Sequence, residues 1–299
     1  MNNKISVIIP TYNRENLIIK TIESVLEQSF TNFEVIVIDD CSTDDTPNII
    51  AALQDSRIRY IRLDKNSGAQ VARNAGILSA TGEWIAFLDS DDIWHKDKLK
   101  LQFKVLEENE FNEKLVIHTN CIILDEIQNT QHEWKMPVTE GNVYKLLLQR
   151  PSTLFPSILT SKKILLLINL LDENVPSYQE WDTSIQLAKQ CLFIHINKPL
   201  FTYIQHQNNN ISKNKDIEIA GYHYIVNKYK ADIIKLGNKA WNNHMLNLAD
   251  KCISYKTKFD MMDYIAQIKL SVILLAMIRL ICYVKISNSI KLRLIRAII

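Results

Sequence analysis

Ile5 to Ile9 is an apolar run, broken only by Ser6 and rich in β-branched residues, that stops at Pro10. A run that is apolar at nearly every position predicts a strand buried on both faces of a parallel sheet. Phe33 to Ile38 and Glu83 to Leu88 repeat the pattern, whereas Ile58 to Leu63 alternates and predicts a strand nearer an edge. Between these runs the spacing turns helical. Ile18, Ile22, Val25 and Leu26 recur on one face to about Gln28 with Asn13 as the cap, Thr46 to Leu53 forms a second helix, and Ala69 to Ala80 a third that ends at the Thr81-Gly82 turn. By Leu88 the chain reads β-α-β-α-β-α-β, which implies right-handed crossovers and an open sheet flanked by helices.

Further on the pattern coarsens. Lys96 to Glu108 predicts a helix, Leu115 to Leu124 a strand, Val143 to Leu148 a helix, and Leu192 to Ile204 a strand interrupted at Pro199. From about Asp216 the reading is mostly helix, including Ile217 to Leu236 and Met261 to Val284.

Composition adds that the chain is compact throughout. With 299 residues, 47% of them apolar, it can bury a large core, and only 6 Gly and 7 Pro leave little room for linkers. The five cysteines are odd in number and never form C-x-x-C, which argues against a disulfide framework and against a zinc site, and points to a reducing, cytoplasmic setting. The N-terminal apolar run is too short for a secretory signal core. Charge is unevenly spread. From Tyr264 to Ile299 there are six basic residues (Lys269, Arg279, Lys285, Lys291, Arg293, Arg296) and no acid, and taking these six from the net +2 leaves −4 for the rest. The acidic remainder is a poor nucleic-acid binder, so no nucleic-acid partner is expected. The basic, apolar tail fits a membrane surface or packing against the catalytic domain. Its most apolar part, Ser271 to Val284, is interrupted by Arg279 and falls short of the ~20 residues a spanning helix needs.

In open sheets of this kind ligands bind beyond the carboxyl ends of the strands. Three polar clusters follow directly after strands: Thr11-Tyr12-Asn13, Asp39-Asp40 and Asp89-Ser90-Asp91-Asp92. Three carboxylates within four residues repel one another unless a cation offsets them, and a hard divalent ion, Mn²⁺ or Mg²⁺, is the simplest compensation. The alternative is a solvated turn that caps the next helix through Asp92. Asp39 and Asp40 sit where carboxylates would meet a base and a ribose, while Ser42 to Thr46 reads more simply as a helix cap.

Four ordered blocks carry a resemblance. Val7-Ile8-Ile9-Pro10-Thr11-Tyr12-Asn13-Arg14, Glu34-Val35-Ile36-Val37-Ile38-Asp39-Asp40-Cys41-Ser42-Thr43-Asp44, Gly68-Ala69-Gln70-Val71-Ala72-Arg73-Asn74-Ala75-Gly76 and Asp89-Ser90-Asp91-Asp92 closely resemble successive blocks of family 2 glycosyltransferases. The likeness is strong over residues 4–105 and looser to about 212. It implies a GT-A fold, an α/β architecture with a mostly parallel, Rossmann-like sheet. The catalytic domain would span residues 1–212, with a nucleotide-binding half over 1–105 and an acceptor half over 106–212, followed by a helical region over 213–299.

The resemblance further implies an inverting enzyme that moves a sugar from a nucleoside diphosphate to a glycan or lipid-linked glycan acceptor with the help of Mn²⁺ or Mg²⁺. Pro10, Thr11 and Tyr12 would line the base site with Tyr12 stacked on the ring, Asp40 would accept from a uracil imide, and Arg73 would lie near the ribose and phosphates. Asp91 would be the principal metal ligand, Asp89 would reach the ribose or the metal, and Asp92 would be a lesser ligand. Gln179-Glu180-Trp181-Asp182 is similar to the Glu-Asp-Trp-Asp segment that supplies the base in this family, which makes Glu180 the base, or else only a partner of the helix dipole. Trp181 would then stack on the acceptor or belong to the core. Tyr203-Ile204-Gln205-His206 with Asn210-Ile211-Ser212 is similar to a segment that closes over the diphosphate, so His206 would touch phosphate or metal; the other histidines read as structural or exposed. A sugar nucleotidyltransferase would carry a glycine-rich loop after its first strand, and Pro10 to Arg14 contains no glycine. A non-catalytic nucleotide-sugar-binding module stays open because Glu replaces the usual Asp. The abundance of Ile, Asn and Lys suggests a bacterial enzyme of surface polysaccharide assembly.

Overall fold

A computed structural model describes residues 3–206, 214–255 and 259–269, and, towards the C-terminus, 277–278, 281–282 and 287–298. Strand β1 (Ile5–Thr11) is buried along its whole length. It lies between β2 (Phe33–Asp39) and β4 (Trp84–Phe87) and is parallel to both, and β2 carries β3 (Ile58–Arg62) on its far side. The alternation in β3 is matched by its half-exposed edge position. Crossing between them are α1 (Ile18–Leu26), α2 (Thr46–Ala51) and α3 (Ala69–Ser79). Helix α3 packs closely on β1. A Cβ at Gly76 would lie 2.5 Å from Ile8 Cγ2, so only glycine lets this helix approach.

Beyond β4 the sheet becomes mixed. β5 (Ile93–Trp94) and α4 (Lys98–Glu108) precede the long β6 (Leu115–Asp125), the exposed β7 (Thr130–Trp134), α5 (Tyr144–Leu147), β8 (Leu159–Ser161), α6 (Lys162–Leu167), α7 (Gln179–Ala188) and β9 (Leu192–Gln205). Strand order among the described residues is β3-β2-β1-β4-β8-β6-β9-β5, with β7 paired to β6 off that path. β8 runs antiparallel to both its neighbours, and β5 and β7 are antiparallel too, so the expected parallel character holds for the first half and gives way in the second. One core cluster of strand and helix side chains lies on the sheet and includes Val7, Ile22, Val35, Trp84, Leu99 and Phe201.

The chain divides into two compact units. The first, Met1–Leu147, Ser152–Glu173 and Glu180–Asn208, holds the sheet. The second comprises Leu148–Pro151, Asn174–Gln179 and Asn209–Ile299 and is helical, with α8 (Lys215–Lys228), α9 (Lys230–Lys235), α10 (Asn238–Tyr255), α11 (Met261–Ile265) and α12 (Asn288–Ile298). In it, the Glu218 carboxylate accepts from Lys251 Nζ and from the hydroxyls of Tyr178 and Tyr255, and Tyr222 OH meets His244 Nδ1 at 2.9 Å. Among the described residues no helix is long and apolar enough to cross a membrane.

Some local expectations change. Pro10 does not end β1, because the pairing with β4 stops at Ile8 and the missing N–H there costs no ladder bond on that side. Asn13 does not cap α1. It sits at φ 52°, its side chain accepts from Thr43 N, and the helix starts after Leu17 without a side-chain cap. Pro199 leaves β9 continuous, since a register shift pairs Thr119 with Ile196 and Asn120 with Pro199 and bulges out the residues between. The helix expected over Ile217 to Leu236 breaks at Tyr229. Of the one expected over Met261 to Val284, the first turns are α11, and most of the remainder lies outside the described residues.

Candidate active site

The site is built where β1, β2 and β4 end side by side. After β1, the Thr11 carbonyl accepts from Asp40 N at 2.8 Å and ties the first two clusters together. Thr11 Oγ1 is buried and has no hydrogen-bond partner among the described residues. Tyr12 follows with 41% of its surface exposed, so its ring face is available. Asp40 is committed to the next wall. Its two carboxylate oxygens accept from Ser67 N and Gly68 N, each at 2.7 Å, and Gly68, at φ 95°, is the turn that launches α3. Each oxygen keeps a further lone pair for a ligand donor. Asp39 differs from what the sequence suggests. It is fully buried, Oδ1 accepts from Ser42 N at 2.9 Å and Oδ2 from Tyr60 OH at 2.6 Å, so both oxygens are engaged in bracing the loop from beneath. Burial, then the bond to Asp39, pushes the Tyr60 hydroxyl up to about 12.

Helix α3 turns Arg73 towards the exit of β4. The guanidinium lies 4.1 Å above the Phe155 ring, Nη1 donates to Gln70 Oε1 at 3.0 Å, and Nη2 donates to Asp89 Oδ1 at 2.6 Å. A short charge-assisted bond of this kind fixes both partners. The three carboxylates of the cluster have separate surroundings. Asp89 faces Arg73. Asp91 Oδ2 meets His206 Nε2 at 3.1 Å and Arg14 Nη2 at 3.5 Å. Asp92, expected as a lesser metal ligand, is fully buried with Oδ1 accepting from Ile204 N at 3.0 Å, and so it pins the end of β9. Burial first, then the charges of Asp89 and Asp91, raise its carboxyl well above the usual range. By holding Ile204, Asp92 sets the direction in which the chain delivers His206 to Asp91. Asn210, Ile211 and Ser212 lie outside the described residues.

Glu180 stands in the first turn of α7. Burial raises its carboxyl to about 7; its own backbone N–H lowers it, the Asp89 charge raises it and Arg73 opposes. Glu180 therefore shares an electrostatic environment with Asp89 and Arg73, one residue from each of three distant stretches of chain. Trp181, expected at the acceptor site or in the core, is in the core. It is 1% exposed and its Nε1 donates to Leu147 O at 2.7 Å, so it offers no face to a sugar. Trp181 opens a run of buried residues, Trp181 to Ile185, along the first turns of α7. Arg14 is the site residue that the sequence reading left without a role, although it closes the first motif; a cation directly after a strand-end loop was the available signal.

A family model described as glycosyl transferase family 2 matches residues 6–155, about half of the chain. The chain belongs to this family. The matched span of the family 2 domain holds Thr11, Asp40, Arg73, Asp89 and Asp91, and stops before Glu180 and His206. Over 200 residues, 67% of this chain, it is 39% identical to an uncharacterised glycosyltransferase of Rickettsia felis, and it spans only 32% of that relative's length. It is 39% identical over 123 residues to the UDP-Glc:alpha-D-GlcNAc-diphosphoundecaprenol beta-1,3-glucosyltransferase WfgD of Escherichia coli, a match that covers 40% of this chain and 49% of WfgD. Among solved structures, TarS (1-349) of S. aureus in complex with UDP-GlcNAc superposes with a TM-score of 0.66 over 99% of this chain and 90% of that one. Their sequences are 21% identical, so what the two share is the GT-A fold.

Proposed function

We propose that this family 2 chain transfers a sugar, with inversion, from a UDP-sugar to a hydroxyl of a glycan or lipid-linked glycan acceptor. The observation that carries the reading is Glu180, a carboxylate raised to about 7 by burial that shares its surroundings with Asp89 and Arg73. A base of that strength is suited to accept the proton of a sugar hydroxyl near neutral pH. The acceptor oxygen attacks the anomeric carbon as the bond to the diphosphate oxygen breaks, Glu180 takes the hydroxyl proton, and the products are a glycoside of opposite anomeric configuration and UDP. Exposed Tyr12 would stack on the base, the unpartnered Thr11 hydroxyl would bond to it, and Asp40 would accept from its imide. The UDP-GlcNAc held by TarS and the UDP-Glc and diphosphoundecaprenol substrates in the name of WfgD support this donor and this acceptor class.

Asp91 and His206 suit Mn²⁺ or Mg²⁺. A carboxylate and an imidazole already touch, Asp89 stands two residues away, and an ion that keeps waters and phosphate oxygens needs only one or two protein ligands. Among the described residues there is no group of three acidic, His or Cys side chains that would cage an ion unaided. When bound, such an ion supplies Lewis-acid stabilisation of the departing diphosphate. Arg73 adds a fixed positive charge on the donor side, held in place by Asp89 and Phe155.

For such an acceptor the enzyme would work at the cytoplasmic membrane surface. Helix α12 supports this, with Lys291, Arg293 and Arg296 beside the exposed Ile290 and Leu294 while Ile295 turns inward. The reading is tested by UDP release from a panel of UDP-sugars with polyprenyl-diphosphate-linked acceptors and Mn²⁺. Release should need the acceptor and should fall at least about 100-fold with chelator or with Asp91→Ala, the range of a lost transition-state electrostatic contact. Undiminished release in both cases rules the mechanism out.

A further inference from the structure

Two side chains converge on one oxygen of Asp91: His206 from the end of β9 at 3.1 Å and Arg14 from the loop after β1 at 3.5 Å. Arg14 combines a fixed backbone with a loosely held head. Its N–H donates to Thr46 Oγ1 at 2.8 Å, and its carbonyl accepts from Leu17 N and Ile18 N at 2.9 and 3.0 Å. Its guanidinium, by contrast, makes only long contacts, 3.5 Å to Asp91 and 3.3 and 3.2 Å to the carbonyls of Tyr12 and Asn13. Nε is buried and has no hydrogen-bond partner among the described residues. Arg73 shows what commitment looks like in the same site, at 2.6 Å to Asp89. A five-donor fork with three weak acceptors and two donors unused, Nε among them, is ready to exchange them for better ones.

We propose that Arg14 is a resident counter-cation for Asp91, which a divalent ion must displace and which the diphosphate of the donor then receives. The inference rests on Asp91 as a metal ligand. The guanidinium neutralises Asp91 while the site is empty of metal, which spares the acidic cluster its self-repulsion. A divalent ion that takes Asp91 meets a like charge and drives the guanidinium off. With nucleotide present the freed fork has two phosphates within its ordinary bidentate repertoire; without nucleotide it has only backbone carbonyls. The ion therefore binds weakly alone and strongly with the donor, and by reciprocity the donor binds strongly only with the ion. Such coupling keeps the ion from being retained after UDP leaves.

The test is a Mn²⁺ titration of the full chain, read by the electron paramagnetic resonance signal of free Mn²⁺, with and without UDP. Wild type should bind Mn²⁺ about tenfold more tightly when UDP is present, an ordinary coupling factor. Arg14→Gln should bind Mn²⁺ alone about 5–10-fold more tightly than wild type and lose most of the UDP effect, which is the same coupling read from the other side. Arg14→Lys, which keeps the charge but not the fork, should bind Mn²⁺ alone as wild type does and lose part of the UDP effect. Unchanged Mn²⁺ affinity and an unchanged UDP effect in Arg14→Gln overturn the inference, as does an Arg14→Lys that binds Mn²⁺ alone as tightly as the glutamine variant. Asp91→Asn separates the two layers. If it abolishes Mn²⁺ binding while Arg14→Gln changes nothing, only the role of Arg14 falls; if it binds Mn²⁺ as wild type does, the metal assignment falls and takes this inference with it.

Discussion

A general base is most useful when its proton affinity lies near the working pH, and burial brings Glu180, the base of the proposed mechanism, to that point. The cost has a definite sign. Its carboxyl is raised from 4.5 to about 7 in the folded chain, so the native state holds a proton that the unfolded state has already released across that window. Stability from this group therefore falls as pH rises from 4.5 to about 7, and the full penalty persists above. Glu180→Gln should raise Tm at pH 8 by about 2–4 °C, the shift expected for ~1 kcal/mol in a unit of this size, and leave it unchanged near pH 4.5. In the wild type kcat should drop about tenfold per pH unit below pH 7. Equal Tm gains at both pH values, or a flat acid limb, would show that Glu180 titrates elsewhere. The polar clusters at the ends of β1, β2 and β4 were legible in the sequence by position after a strand. The buried bracing of Asp39 and the core placement of Trp181 were not legible, because Tyr60 and the Leu147 carbonyl, which hold them, are supplied by distant parts of the chain.

The elements show the same boundary between what local pattern determines and what tertiary pairing decides. The predominantly apolar runs of β1, β2 and β4 and the helical spacing of α1 and α3 were readable because each buries a whole face of its own. β5 and β8, at two and three residues, are too short for a period and exist only because β9, β4 and β6 offer them partners. The start of α3 was legible from the helical run beginning at Ala69 but not its anchor, since nothing local pairs Asp40 with Ser67 and Gly68. That anchor carries a prediction. Asp40→Ala removes both acceptors and leaves two backbone N–H groups unpaired, at about 1–3 kcal/mol each. It should raise KM for the UDP-sugar at least tenfold, with loss of thermal stability; an unchanged KM would show that the start of α3 does not need Asp40. At the same helix, Gly76→Ala sets a methyl 2.5 Å from Ile8 and should destabilise by about 1–3 kcal/mol in a denaturant titration.

At the scale of the molecule, a near-neutral net charge of +2 conceals a basic tail that follows an acidic catalytic body. If α12 lies on an anionic surface, each basic residue contributes about 1 kcal/mol to binding. Lys291→Glu with Arg293→Glu should then lower flotation with phosphatidylglycerol vesicles by more than tenfold in affinity, leave the weak association with neutral vesicles unchanged, and keep turnover on a soluble acceptor analogue. Equal flotation of variant and wild type would end the membrane reading. Donor site, base and acceptor meet only in the complete catalytic cycle, and one variant separates them. Glu180→Gln keeps the shape of the side chain, the Asp91 and His206 pair and the base pocket at Tyr12, and it removes the proton acceptor. Binding of the UDP-sugar with Mn²⁺, measured by calorimetry alongside transfer to acceptor, is therefore the most direct measurement. The account predicts donor affinity within about twofold of wild type and a kcat lower by at least about 10²–10⁴-fold, the usual contribution of a general base. A variant that binds donor and still transfers sugar at the wild-type rate would contradict it.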